Sequence, residues 1–249
     1  MQAHPQDELL TIGINALLVC LAWFLLPTET KDSVFPLHGP FAFPLVLVAW
    51  MLADTPATNV LAKDPELALR TLTRPRDLRQ VLRAKRIVLV AIVVPIVVVV
   101  AAAIGISEHH LWATLYIIAV LLVLPYGVLA ISVWLGIVFP YHPRPVSWRW
   151  QQRRSRAKLF RWVTLVCLPY LLVPLVGALL LVPSAVVANA VSGAHKNPAH
   201  ITASGFLAGS AVAASAVVLA VLLGNCVTRR LVQRRREPLS AYLNDPDRG

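Results

Sequence analysis

From Ile87 to Ser107 the chain carries no charged side chain, and five further long apolar runs recur along its 249 residues. Hydrocarbon offers no water to satisfy backbone N–H and C=O groups, so a run of this kind must bond within itself as a helix. About 20 apolar residues cover a bilayer core of roughly 30 Å. On that ruler six spans are expected, over about residues 9–26, 41–62, 87–106, 112–139, 159–183 and 203–227. Only 14% of the residues are charged, whereas soluble domains hold about a quarter. The fold class that follows is an all-α integral membrane protein, with one six-span domain over residues 1–236 and a tail at 237–249.

The charges lie in three clusters between or after the apolar runs. Residues 63–86 hold eight Lys or Arg, residues 140–161 hold seven with no acid, and Arg229 to Arg248 hold six. The alternate loops hold only Lys31 and Lys196, so 21 of 23 basic residues fall on one side of the path. Cytoplasmic loops are the ones enriched in Lys and Arg. Both termini are therefore expected on the cytoplasmic face of a plasma (inner) membrane. The net charge of +11 also raises nucleic acid as a partner, and Trp148, Trp150 and Trp162 among arginines suit a stacking platform. Their position between spans favours an interfacial segment, with membrane lipid as the partner and no nucleic acid.

Cys20, Cys167 and Cys226 sit singly in apolar runs, without metal-site or disulfide spacing, and read as small buried hydrophobes. The first run follows Asp7 and Glu8 in place of a positive n-region, so it reads as a retained helix. Asp54 is the one acid inside an apolar run, and such a carboxylate is a functional candidate. With Thr55 and Pro56 directly after it, capping of a restarted helix is the alternative its position favours over a proton or substrate site. Asn15, Asp54, Thr55, Thr58, Asn59 and Ser132 are the polar candidates for a substrate path or for helix packing; Asn15 bonds either a neighbouring helix or a local carbonyl. His109 and His110 have no third ligand nearby and read as interfacial. The apolar stretch after Pro183 is too short to span and reads as a re-entrant or interfacial helix, while Gly205, Gly209, Ser210 and Ser215 suit close helix packing.

Lys63 to Arg86, KDPELALRTLTRPRDLRQVLRAKR, joins the second and third runs. Leu67, Leu69 and Leu72 precede Pro75, and Leu78, Val81 and Leu82 follow at spacings that line a helix face. A short amphipathic helix is expected, then a turn near Pro75, then a helix running into the third span.

Catalytic equipment is absent from the sequence. There is no GxxxxGK[ST], no HExxH and no pair of intramembrane carboxylates. Ser192 with His195 lacks a facing base, so the serine-protease reading yields to small-residue packing. No enzyme activity is expected of the chain by itself, and no metal site.

This arrangement resembles the membrane subunit (permease) of ABC exporters of the ABC-2 type, with type V exporter-like architecture. The likeness rests on LALRTLTRPRDLRQVLRAKRIVL, on ISVWLGIVFPYHPRP at the end of the fourth run, and on the apolar piece after Pro183. It covers about residues 41–236. The family's amphipathic helix before the first span has no obvious counterpart in the eight or so residues ahead of residue 9; either it is missing or the first run partly serves as it. The resemblance implies alternating access between paired six-span units, the second being a copy or a paralogue. A separate ATP-binding cassette subunit would hold ATP and Mg, with no cofactor in this chain. Coupling to that ATPase is implied for the loop 63–86, on Leu69, Arg70, Leu72, Thr73, Arg74, Pro75, Arg76, Asp77 and Leu78. Uncharged spans imply an apolar or amphiphilic cargo. The competing class is a non-transporting assembly factor, regulator or sensor whose basic loops bind anionic lipid or a partner.

Overall fold

Proline, which cannot donate a backbone hydrogen bond, marks where the helices of this chain begin and bend. The computed structural model describes residues 5–27, 41–53, 61, 64–72, 74–140, 142, 156–193 and 201–245, and these hold seven helices. They are α1 (Pro5–Leu25), α2 (Ala42–Leu52), α3 (Pro65–Leu72), α4 (Pro75–Glu108), α5 (Leu111–Val138), α6 (Arg156–Ser192) and α7 (Ala203–Asn244). Three of them, α1, α3 and α4, open on proline, whose missing N–H is one that a first turn leaves unbonded anyway.

Helices α4, α5, α6 and α7 are long and apolar enough to cross a membrane, and α1 and α2 are shorter apolar helices. The molecule is thus all-helical with the makings of a multi-pass membrane protein. The second apolar run departs from expectation. Its helix has 11 residues, about 16 Å at 1.5 Å per residue, and Ala53 turns out of it at φ −79 and ψ 33. Asp54, Thr55, Thr58 and Asn59 lie outside the described residues.

α5 is the central helix, packed against α2, α4, α6 and α7, and most of its side chains are buried. The outer helices keep apolar side chains on their free faces, such as Val99, Ile106, Leu171 and Leu222. An apolar surface of that extent suits lipid as its solvent. α7 meets α5 and α6 through a buried stripe of Gly205, Gly209, Ala213, Val217, Ala220 and Gly224. Small residues at helical spacing let backbones approach closely: a Cβ at Gly209 would lie 2.8 Å from the Tyr116 ring, and one at Gly224 would strike the Ala130 carbonyl. Of the serines expected there, Ser215 faces outward and bonds the Ala211 carbonyl.

Two elements run past their expected ends. α6 passes through Pro169, Pro174 and Pro183 and stops only at Ser192, so residues 184–192 are its last turns and not a separate outer helix. Proline is tolerated in such a helix because neighbours can satisfy the carbonyl it frees. α7 continues to Asn244, and residues 237–244, expected as a tail, stay helical and pack back. Pro238 cannot bond the carbonyl of Arg234, and the backbone bends at Arg235 (φ −109, ψ 15). Leu239 and Leu243 are thereby carried into a second buried cluster with Leu61, Ala68, Leu72, Leu78, Leu82, Val133, Ile137 and Val232.

The bundle has two unlike ends. At the hairpin end, α4 returns into α5 through His109 in the left-handed conformation (φ 59), and Ser192 Oγ accepts the N–H of Thr202 at 3.0 Å to tie α6 to α7. The basic end gathers α3, the first turns of α4 and the last turns of α5 and α7.

Candidate functional site

The expected helix, turn and helix form at the basic end. α3 occupies Pro65–Leu72, Arg74 is the N-cap in extended conformation, and α4 starts at Pro75. The turn is closed by the N–H of Arg74 on the Thr71 carbonyl at 2.9 Å. Thr71 Oγ1 donates to the carbonyls of Leu67 and Ala68, and Lys85 on α4 forms an ion pair with Asp64 ahead of α3.

This geometry divides the sequence-derived coupling residues into two sets. Leu72 and Leu78 are buried in the second cluster and Leu69 packs against it, so they hold α3 to this chain and do not stand free. Arg70, Arg74 and Arg76 are exposed, and Asp77 sits 3.8 Å from Arg74. Pro75 is the first residue of α4, and Thr73 lies outside the described residues. An acid at Leu72 or Leu78 would therefore disturb the cluster before it disturbed any partner.

Of the polar candidates, Asn15 accepts a hydrogen bond from Tyr170 Oη at 3.1 Å, which links α1 to α6. Ser132 is buried and bonds the Val128 carbonyl of its own helix. The two make separate contacts. Among the described residues no group of three His, Cys, Asp or Glu could hold a metal. The cysteines also differ from expectation: Cys20 is partly covered, whereas Cys167 and Cys226 are exposed.

A buried polar chain absent from the sequence reading joins three helices near the hairpin end. Ser184 Oγ on α6 donates to the Gly209 carbonyl on α7 at 2.8 Å and lies 2.6 Å from Tyr116 Oη on α5. Apolar surroundings make such bonds costly to leave unmade.

The other feature missed is a cleft of about 500 Å³ at the basic end, between the start of α4 and residues 221–236 of α7. Arg79, Arg83 and Arg86 line it from α4, Arg229 and Arg236 from α7, and Tyr126 from α5. Asn225 and Gln233 add polar groups, and Leu72, Leu78, Leu82 and Val232 form apolar wall. No carboxylate among the described residues lines it. Arg86 is only 6% exposed, and its guanidinium carbon lies 5.2 Å from the centre of the Tyr126 ring, a cation–π contact. Its Nε has no hydrogen-bond partner among the described residues. The signal was present in the sequence as two arginine-bearing stripes at helical spacing, 79–83–86 and 225–229–233–236; nothing in the sequence set them face to face.

Fold and site together define an all-helical chain with four membrane-length helices and a basic end that combines an amphipathic helix with an arginine-lined cleft. No family model, no curated protein and no solved structure matches it.

Proposed function

We propose that the chain is the permease subunit of an ATP-driven exporter of the ABC-2 type. In this reading α1 and α2 belong to the first two of six spans, both termini are cytoplasmic, and a second six-span unit completes the transporter in the inner membrane. A separate ATPase subunit supplies ATP and Mg, and an apolar or amphiphilic cargo moves by alternating access. The observation that carries the reading is α3: an eight-residue amphipathic helix held by Ala68, Leu69 and Leu72 to the cluster it shares with α4 and α7, with Arg70, Arg74 and Arg76 exposed along it and the turn that follows. A short rigid helix seated this way can pass a rigid-body push from a docked subunit into α4 and α7, and guanidiniums fix register on partner carboxylates.

The test is purification of the full chain in mild detergent with mass spectrometry of what accompanies it. The expected result is a co-purifying ATPase subunit that is lost from the R70E/R74E/R76E variant while the chain stays folded. A well-folded chain recovered alone overturns the exporter reading. A second reading, a non-transporting membrane protein that binds anionic lipid or a partner through its basic loops, draws on the arginine-lined cleft.

A further inference from the structure

The basic residues of α4 and α7 belong to loops far apart in sequence, yet five of them share one cavity. Arg79, Arg83 and Arg86 form one wall, Arg229 and Arg236 the other, with no carboxylate among the described residues to neutralise them. Like charges gathered without a counter-ion repel one another, and the arrangement is tolerable where an anion completes it. Arg86 sharpens the requirement: it is buried, braced on Tyr126, and its Nε has no hydrogen-bond partner among the described residues. Planar guanidinium forks match the oxygens of phosphate. The volume of about 500 Å³ falls in the range of small-ligand sites.

Position selects the kind of anion. The cleft lies where both helices leave their apolar runs. Directly after Arg86 on α4, Ile87 and Val88 are exposed apolar side chains, and so are Leu222 and Leu223, next to the cleft-lining Val221 on α7. A ligand with a phosphate in the cleft would find hydrocarbon-compatible surface beside it. We infer that the cleft between α4 and α7 is a binding site for the phosphate headgroup of an anionic amphiphile, with its acyl chains lying along the apolar faces of those helices. Basic pockets between membrane helices suit such headgroups. The site needs no ATPase partner and is independent of the exporter reading.

The test uses the full-length chain in neutral detergent and native mass spectrometry, titrated with phosphatidylglycerol, with phosphatidylcholine as the zwitterionic control, and separately with pyrophosphate. The cleft variant is R83Q/R229Q; both side chains are exposed, so the fold does not depend on them. The matched control is R230Q/R234Q, which removes the same charge from α7 outside the cleft. Phosphatidylglycerol should bind in preference to phosphatidylcholine, with affinity falling about thirty-fold in the cleft variant and little in the control. Pyrophosphate bound with the same cleft dependence, and no preference for phosphatidylglycerol, would uphold the phosphate site and assign it to a soluble ligand. Equal losses in both variants, or no binding of either anion, would overturn the inference, since charge spread over the surface would then be the whole effect. R79Q/R236Q serves as a second cleft pair and must repeat the R83Q/R229Q result.

Discussion

The two halves of α7 obey opposite rules. From Gly205 to Gly224 its buried face is small, and the helix lies so close to α5 and α6 that a Cβ at Gly224 would meet the Ala130 backbone. From Asn225 to Arg236 the side chains lining the cleft are mostly polar or basic, with Asn225, Thr228, Arg229, Gln233 and Arg236 beside the one apolar Val232, and a cleft of about 500 Å³ lies between this stretch and α4. One half binds its neighbours by excluding everything between them; the other keeps a space that its own charges make unfit to collapse. The same helix is therefore a rigid strut at one end and a wall of a cavity at the other. A change of side-chain size should hurt the first half, and a change of charge should matter only in the second.

The largest effect is expected from Gly224→Leu, the last tight contact before the cleft. The new side chain has backbone against it, which cannot rotate away, and the loss should be about 3 kcal/mol or more. A thermal or denaturant melt of the detergent-solubilised chain measures it. A loss well under 1 kcal/mol would mean that α7 stands off from α5 already at this level, and the contrast between the halves would fail. Next is Leu239→Ala, in the segment that bends back beyond Arg235. Leu239 is only 2% exposed within the second cluster, so truncation should cost about 2 to 3 kcal/mol. It should also release the end of the chain to limited proteolysis. His142, stacked on Tyr242 at 4.9 Å and bonded to its carbonyl at 2.9 Å, should lose its order at the same time.

How much of this was legible before the fold depended on whether the cause was local. The α3, turn and α4 unit was readable because leucine spacing, Pro75 and the basic run act within a few residues of one another. The end of α6 was not, because the apolar stretch after Pro183 is too short to span by itself and reads as a separate helix; whether a helix continues through a proline depends on what satisfies the freed carbonyl, and that is a tertiary fact. The burial of Leu72 and Leu78 inside this chain was hidden for a similar reason. An amphipathic pattern says that a face is covered, but not whether the cover comes from a partner or from Val232 and Leu243 of the same chain. The cleft was invisible because Arg83 and Arg229 were counted as two separate topology signals, and only packing brings them together.

The hairpin end supplies finer tests of the tightly packed half. Ser184→Ala should cost about 1 to 2 kcal/mol, since it leaves Tyr116 Oη and the Gly209 carbonyl without their bond in an apolar setting. Tyr116→Phe combined with Ser184→Ala should cost less than the sum of the two single changes, because the orphaned hydroxyl is then gone as well. A double-mutant cycle in thermal melts reads that difference, and strict additivity would show that the chain of bonds adds no coupling between α5 and α6.

The smallest expected effect runs in the stabilising direction. His109 is exposed and holds φ 59 between α4 and α5, a conformation that costs an L-residue with a Cβ about 1 kcal/mol and glycine little. His109→Gly should therefore raise stability by up to about 1 kcal/mol. Ligand binding in the cleft at the other end should stay unchanged, since the two ends are built on different principles. A destabilised His109→Gly protein would mean that the imidazole makes a contact that outweighs the backbone term, and the turn would have to be counted with the packed half and not merely as its connector.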